Sequence, residues 1–127
     1  MATRISIKPL SVNSAYTGKR YATPEYKAFK KSMAWLLPRN LEIPEGNLEI
    51  RYTWGVSNSG ADVDNPCKPT TDVIASMYGF NDKRVYRVVQ EKIIVPKGKE
   101  YIEFEIVQYK PLETAKAPIG ASTAFNP

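Results

Sequence analysis

The aspartates are the residues whose type and spacing most clearly indicate chemistry, and they are confined to one short part of the chain. All four lie between positions 62 and 82, whereas the nine glutamates lie elsewhere. They are Asp62, Asp64, Asp72 and Asp82. An aspartate holds its carboxylate oxygens close to the backbone, as a rigid ligand site requires. The sequence therefore places its shortest carboxylates where they can act together.

Asp62 and Asp64 are two positions apart, so in an extended segment both side chains point to the same face. Their α-carbons are then about 6–7 Å apart, given a rise of about 3.3 Å per residue. Two carboxylates at this spacing repel each other unless a cation lies between them. Hard oxygen ligands favour Mg²⁺ or Mn²⁺ over zinc. The alternative is that Asp-Val-Asp-Asn serves as a turn or helix cap, since these residue types are common there.

The composition narrows the chemistry further. The chain has 127 residues, a formal net charge of +5, no histidine and one cysteine, Cys67. Without histidine, catalytic triads built on that residue and histidine metal ligands are excluded. A single cysteine excludes an internal disulfide and a zinc site made of several cysteines, and it indicates a cytoplasmic protein. The basic balance permits binding to a polyanion such as DNA.

The length fits one domain. We expect residues 1–109 to form this domain and residues 110–127, which are rich in Pro and Ala, to form a flexible tail. No stretch approaches the roughly 18 apolar residues of a membrane span, and the first ten residues do not resemble a signal peptide. We therefore expect no membrane partner.

Hydrophobic periodicity predicts the elements that position the aspartates. Alternation predicts strands at 4–8 and 48–56 and a hairpin formed by 85–95 and 101–109. Helical spacing and cap residues predict one helix that begins at Thr23-Pro24-Glu25 and another that begins at Pro69 and ends at Gly79. Residues 11–22 are expected to form a polar loop. This order predicts an α+β fold, a single domain with a small mixed sheet and two helices packed on it.

Two of these elements have patterns that predict individual burial. The first helix carries an apolar stripe of Tyr26, Phe29, Met33 and Leu36. In the strand at 48–56, alternation directs Trp54 to an apolar face and Glu49 to the opposite, polar face. We expect Trp54 to lie in the core.

The acidic segment is also part of a longer pattern. Asp62-Val63-Asp64-Asn65-Pro66-Cys67-Lys68 is followed by Asp72, and Asp82 stands just before a predicted strand. Upstream, Ser11-Val12-Asn13-Ser14-Ala15-Tyr16 precedes basic residues and a helix. Together these segments resemble the RusA family of Holliday-junction resolvases, whose signature is D-x-D-N-x-x-K-x-x-x-D followed by an aspartate before a strand. The resemblance covers roughly residues 4–109.

The resemblance implies an Mg²⁺- or Mn²⁺-dependent endonuclease that resolves four-way DNA junctions by paired phosphodiester hydrolysis in recombination and repair. It implies that Asp62, Asp64 and Asp82 are catalytic metal ligands and that Lys68 acts at the scissile phosphate. Asn65 and Asp72 would not contact the metal or the DNA themselves but would position these residues or have a structural role. For Lys68, a structural ion pair with Asp72 one turn later is the alternative.

The same resemblance implies a homodimer, because two matched cuts require two equivalent sites. It implies no organic cofactor. Candidate contacts to the DNA backbone are the basic residues Lys19, Arg20, Lys27, Lys30, Lys31, Lys83, Arg84 and Arg87, although any of them can equally belong to a solvated surface.

Two further functions are open. One is a metal-dependent nuclease of broader structure specificity, and the other is a non-catalytic protein of the same fold that binds branched DNA or has a regulatory role. The small single domain is typical of phage or prophage proteins.

Overall fold

The computed structural model describes residues 2–17 and 21–112. In chain order the elements are β1 (Thr3–Ile5), α1 (Val12–Ala15), β2 (Tyr16–Thr17), β3 (Tyr21–Ala22), α2 (Pro24–Leu36), β4 (Leu48–Val56), α3 (Cys67–Tyr78), a 3₁₀ turn (Asp82–Arg84), β5 (Val85–Ile94) and β6 (Tyr101–Gln108). Lys19, Arg20 and residues 113–127 of the predicted tail lie outside the described residues. The predicted boundary at residue 109 stays a prediction.

β4 is an inner strand of the four-stranded sheet, whose order is β1-β6-β4-β5. It pairs in parallel with β5, so that Ile50 lies beside Val88, and antiparallel with β6, where Ile50 lies beside Ile106. β5 and β1 are the two edge strands, and β1 pairs antiparallel with β6. The sheet is therefore mixed, and the predicted α+β class is confirmed. The predicted hairpin of 85–95 and 101–109 is wrong, because β5 and β6 each pair with β4, which lies between them, and not with each other. A parallel pair needs a crossover connection, and α3 supplies it between β4 and β5.

The helix α2 forms where the sequence predicts it. The Thr23 side chain accepts a hydrogen bond from the Tyr26 amide at 3.1 Å, and Pro24 occupies the first helical position. Tyr26, Phe29 and Met33 are buried as predicted, but Leu36 is 41% exposed. The helix ends at Leu36, and Leu37, with an extended backbone, turns back into the core in its place.

Residues 11–22, expected to be a polar loop, contain regular structure instead. Ser11 accepts a hydrogen bond from the Asn13 amide and begins the single-turn helix α1. Ala15 is fully buried, and its carbonyl accepts a hydrogen bond from the Thr23 amide at 3.0 Å. β2 and β3 then pair antiparallel. The prediction failed because short elements held by contacts with the rest of the fold leave almost no periodicity in the sequence.

The helix α3 begins two residues earlier than predicted, at Cys67. Pro66 occupies the N-cap position and no side chain caps the helix, so a capping role for Asn65 is wrong. Gly79 ends the helix in the left-handed conformation, as expected. The Tyr52 and Thr71 hydroxyls lie 2.6 Å apart, within hydrogen-bonding distance, and this contact holds the helix against the middle of β4.

The core lies on the apolar face of β4, beneath α2 and α3. Leu48, Ile50, Tyr52 and Trp54 are all buried on this face, which confirms the core position of Trp54. On the opposite face, Glu49 is also buried, with only 6% of its surface exposed. Two arginines cover it: Arg51 donates from Nε at 2.6 Å and Arg87 from Nη1 at 2.7 Å. Among the helices of residues 2–17 and 21–112, none has the length and apolar character needed to cross a membrane.

Candidate active site

Lys68 and Asp72 form an ion pair on one face of α3. The Lys68 Nζ lies 3.2 Å from Oδ1 and 3.1 Å from Oδ2 of Asp72, one helical turn further along. The lysine side chain is 62% exposed, whereas the aspartate is 26% exposed. The carboxylate is thus the more fixed partner and the ammonium the one that faces outward. The ion pair expected as the alternative for Lys68 is present.

Two tyrosines extend this pair into the protein. The Tyr16 hydroxyl donates to Asp72 Oδ2 at 3.3 Å, and the Tyr16 and Tyr26 hydroxyls lie 3.4 Å apart. The two rings meet edge to face, with centroids 5.2 Å apart. Burial raises the pKa of Tyr26, and the neighbouring Tyr16 adds to this shift, so Tyr26 stays protonated.

Sequence reasoning did not assign a function to either tyrosine. Tyr16 stood at the end of the Asn-x-x-Tyr segment of the family pattern, and that position was its only signal. The helical spacing predicts that Tyr26 belongs to an apolar stripe, which is correct for its ring but does not account for its hydroxyl. A phenol is both apolar and polar, so periodicity alone does not reveal where its hydroxyl points.

Asp62 and Asp64 lie in the turn that leads into α3, and both are exposed. Their backbone carbonyls accept hydrogen bonds from the Asn65 and Cys67 amides, at 3.4 and 3.2 Å. Their carboxylates have neither a hydrogen bond nor an ion pair with any described residue. The turn is thus held through its backbone, and its two carboxylates face solvent.

Two contacts fix this turn to the rest of the molecule. The Asn65 carbonyl accepts a hydrogen bond from the Val12 amide of α1 at 2.9 Å. Lys92 of β5 donates from Nζ to the carbonyls of Ser59 and Ala61, at 2.8 and 2.7 Å. Asn65 therefore supports the acidic turn through its backbone, and Lys92 is a support that sequence reasoning missed.

Asp82 lies at the other end of α3. It begins the 3₁₀ turn before β5, where the Asn81 side chain accepts from the Lys83 amide at 2.9 Å, and it is exposed. The hydrogen bond with Asp72 raises the pKa of Lys68, and the negative charge of Asp82 adds to this shift. Lys68 therefore stays protonated at neutral pH and experiences the field of both carboxylates.

The three predicted metal ligands are not gathered into one ligand set in this structure. The twelve residues of α3, which separate Asp64 from Asp82, rise about 18 Å if ideal. Within residues 2–17 and 21–112, no group of three or more His, Cys, Asp or Glu side chains is placed to hold a metal ion. The chemistry of the donors does fit a hard divalent cation, because all three are exposed carboxylates that have no partner among the described residues. The metal site stays a prediction.

Six of the eight basic residues predicted to contact DNA lie in the described part of the chain, and two of these six have hydrogen-bonding protein partners. Arg84 donates from Nε to the Gly46 carbonyl at 2.8 Å and also bonds the Pro44 carbonyl. Arg87 is bound to buried Glu49 and lies over the Tyr109 ring. Both guanidinium groups stabilise the fold as they stand, and this structural role was not predicted.

The predicted lysines are placed differently. Lys27, Lys30 and Lys31 on α2, and Lys83 after α3, are all exposed. None forms an ion pair with a carboxylate in the described parts of the chain. Lys30 lies over the Tyr26 ring, with Nζ 4.5 Å from the centroid. These four residues are free to meet phosphates, although contact with DNA stays a prediction.

A separate cleft of about 490 Å³ lies between the N-terminal segment, α2 and the end of β4. Lys8, Glu25 and Asn58 are among its lining residues, but none of the predicted catalytic residues is. The residues with catalytic potential therefore lie on an open surface along α3 and not in a closed pocket.

Residues 8–106 match the family model described as Endodeoxyribonuclease RusA. The match covers 99 of the 127 residues and includes every element from α1 to β5 and most of β6. No protein of the curated set matches the chain significantly.

Proposed function

Because the chain belongs to the RusA endodeoxyribonuclease family, we propose that it is a divalent-metal-dependent endonuclease that resolves four-way DNA junctions as a homodimer. The family match over residues 8–106 is the observation that carries the nuclease activity. The exposed carboxylates at both ends of α3, with a protonated lysine between them in sequence, supply the residue types that metal-dependent phosphodiester hydrolysis uses. We further propose that it serves DNA recombination and repair.

We assign the metal to Asp62, Asp64 and Asp82, with Mg²⁺ or Mn²⁺ as the ion. When bound, such an ion supplies Lewis acidity: it lowers the pKa of water and offsets charge on the phosphate that is cut. The three carboxylates have no described protein partner, and they are not gathered into one ligand set within residues 2–17 and 21–112. The ligand role therefore requires the acidic turn and Asp82 to approach each other.

Lys68 is the residue we assign to the scissile phosphate. Its ammonium is held by Asp72 yet is largely exposed, so it can meet a phosphate oxygen from solvent. A fixed positive charge there offsets the negative charge that develops as the phosphodiester is attacked. Asp72, itself held by Tyr16, orients the lysine from the protein side. In this assignment the ion pair and the catalytic role of Lys68 are compatible.

The homodimer is supported by the free edge of β5. This strand has ten residues and lies at the edge of the sheet, where its outer backbone groups have no strand partner among the described residues. It also exposes Tyr86, Val89 and Ile94, each between 47% and 61%. Antiparallel pairing of two copies about an axis at Val89 places Arg87 opposite Glu91 twice. Such an edge favours pairing with a second chain unless something blocks it.

Light scattering on a purified sample tests the dimer. We expect twice the chain mass for the wild type and a shift to monomer for Val89→Lys, which places two like charges at the axis. Leu112→Lys, an exposed apolar residue outside β5, is the matched control and should stay dimeric. A wild-type monomer at micromolar concentration would remove the dimer from the proposal.

Cleavage of synthetic DNA tests the enzymatic proposal. The protein is incubated with a labelled four-way junction and a linear duplex of the same length, with Mg²⁺ or with EDTA. We expect paired nicks in the junction only, in Mg²⁺ only, and none from Asp64→Asn. The variant should still bind the junction, because only the charge of a metal ligand is removed.

Two other outcomes correspond to the two alternative functions. Equal cutting of duplex and junction indicates a nuclease of broader structure specificity. Binding of the junction without cutting in either Mg²⁺ or Mn²⁺ indicates a non-catalytic branched-DNA-binding protein, which the ungathered carboxylates of this structure would then explain. The cytoplasmic location and the phage or prophage origin stay predictions.

A further inference from the structure

The two tryptophans occupy opposite environments. Trp54 is completely buried in the core, whereas Trp35, in the last turn of α2, is 86% exposed. Tryptophan has the largest apolar surface of any side chain, and most of that surface is normally covered in a folded protein. Leu36 beside it is also exposed, at 41%. The end of α2 therefore presents an apolar surface that nothing in the described parts of the chain covers.

Helix geometry shows that Trp35 is not a misplaced core residue. Successive residues advance by about 100° around a helix, so Trp35 lies about 150° from the centre of the face formed by Tyr26, Phe29 and Met33. Lys27 and Lys31 lie on the same outward face as Trp35. The side chain thus points almost directly away from the core.

The surroundings of Trp35 are positively charged. The thirteen residues of α2 include three lysines and one acidic residue, Glu25. None of the three lysine ammonium groups has a carboxylate within 4.0 Å among residues 2–17 and 21–112. Lys31, Ser32, Trp35 and Leu36 line a shallow hollow of about 400 Å³. The surface therefore combines unpaired cations with one flat aromatic ring.

A partner for this surface needs negative charge beside a flat apolar face. A nucleic acid strand with an unstacked base has both, since phosphates bind lysine and the base stacks on an aromatic ring. In an intact duplex each base is covered on both sides by its neighbours. An accessible base face is found in single-stranded segments and where strands separate at a branch point.

We propose that Trp35 is a base-stacking platform that binds an unpaired nucleobase, while Lys27 and Lys31 bind the adjacent phosphates. The proposal rests on the proposed function only in taking DNA as the partner. It adds a recognition site for strand opening, distinct from the residues assigned to cleavage.

Tryptophan fluorescence tests the proposal, since Trp54 serves as a buried internal reference. The full chain is titrated in EDTA with three probes: single-stranded (dT)20, a synthetic four-way junction, and a relaxed, covalently closed circular duplex without ends. We expect emission from Trp35 to be quenched by the first two probes and not by the circle. Trp35→Phe, which leaves only Trp54, should show no quenching while it still binds.

Affinities of variants provide the second measurement. Removal of one stacking partner costs about 1–3 kcal/mol per base, so Trp35→Ala should bind (dT)20 and the junction roughly tenfold more weakly. Its affinity for the circle should not change. Leu112→Ala, an exposed apolar residue outside α2, is the matched control and should bind all three probes like the wild type.

Several results would overturn the inference. Unchanged affinity of Trp35→Ala, or Trp35 emission that does not respond to DNA, excludes stacking. A shift in emission with protein concentration alone shows that a second copy of the chain covers Trp35 instead. Cleavage in Mg²⁺, measured in parallel, separates the two proposals: a junction that is cut without a Trp35 response refutes the platform alone, and quenching without cutting refutes the nuclease alone.

Discussion

Two sets of carboxylates in this protein differ in what surrounds them. Glu49, on the outer face of β4, is 6% exposed and accepts hydrogen bonds from two arginines. Asp62, Asp64 and Asp82, at the two ends of α3, are exposed and have no described protein partner. The carboxylate group is thus paired with arginines of the protein in one region and exposed to solvent in the other.

The difference indicates which carboxylates the fold uses and which it keeps available. A buried carboxylate must be paired, because burial of an unpaired charge costs several kcal/mol. An exposed carboxylate is solvated by water and can exchange that water for a cation from solution. We therefore expect substitutions at Glu49 to change stability, and substitutions at the aspartates to change activity.

The largest expected effect is the loss of cleavage in Asp82→Asn. If Asp82 is a metal ligand, we expect junction cleavage in Mg²⁺ to fall by about a thousandfold, equivalent to about 4 kcal/mol in the activation barrier. Thermal unfolding should be unchanged, because the carboxylate has no described protein partner. Glu49→Gln is the matched control, with normal cleavage by the folded fraction. Full activity of Asp82→Asn would contradict the expectation that the exposed aspartates serve catalysis.

Next in size is the effect of removing the Lys68 ammonium. Loss of one group that stabilises developing negative charge typically costs about 100-fold in rate, and we expect this for Lys68→Ala in single-turnover cleavage. Lys68→Arg keeps the charge and should recover part of the rate. If Lys68 serves only as the ion-pair partner of Asp72, the alanine variant will instead cleave normally.

Glu49→Ala tests the contribution of the buried, paired carboxylate to stability. Removal of the carboxylate leaves Arg51 and Arg87 without their shared partner, and we expect the free energy of unfolding to fall by about 2 kcal/mol. The loss is moderate because Arg51 is 51% exposed and remains solvated. Urea denaturation measures it. Glu42→Ala, an exposed glutamate outside β5, should unfold like the wild type.

Acid should reduce the contribution of Glu49. Hydrogen bonds from Arg51, and then from Arg87, lower the pKa of Glu49 below its usual value of 4.5. A lowered folded-state pKa stabilises the protein above the unfolded-state value, and that stabilisation is lost as the pH falls through the folded-state value. The stability difference between wild type and Glu49→Gln should therefore shrink below about pH 4.5. A difference that grows in acid would contradict this sign.

The smallest effect is expected for Tyr16→Phe, which removes the hydrogen bond to Asp72. One such bond contributes about 1 kcal/mol, so we expect at most a fivefold loss in cleavage rate, with unchanged junction affinity. The same loss in Lys68→Ala/Tyr16→Phe as in Lys68→Ala alone would show that the tyrosine acts through the lysine. Additive losses would show an independent role.

Much of the fold could be predicted because its main elements have strong periodic patterns. The Thr23-Pro24-Glu25 start of α2 and the alternation of β4 both depend on local rules, and both are confirmed. The left-handed Gly79 at the end of α3 is a third case. Each of these signals lies within a few neighbouring residues.

Other features depend on contacts between distant residues, which periodicity does not show. Glu49 was correctly placed on the polar face of β4, but its burial depends on Arg87, 38 residues later. The hydroxyl contact between Tyr16 and Asp72 spans 56 residues. Likewise, the sequence pattern places Asp62, Asp64 and Asp82 in one region, while the distances between their carboxylates depend on the path around α3.

The pairing of β1 with β6 determines when the sheet can be completed. Thr3 lies beside Phe104, so the first strand finds its partner only after about a hundred further residues have been made. At a synthesis rate of about 5–20 residues per second, β6 is synthesised roughly 5–20 seconds after β1. β6 is also the antiparallel partner of β4, so its synthesis provides the missing hydrogen-bonding partner for both β1 and β4. A chain that stops before β6 leaves both β1 and one side of β4 unpaired, and we expect such chains to aggregate during synthesis.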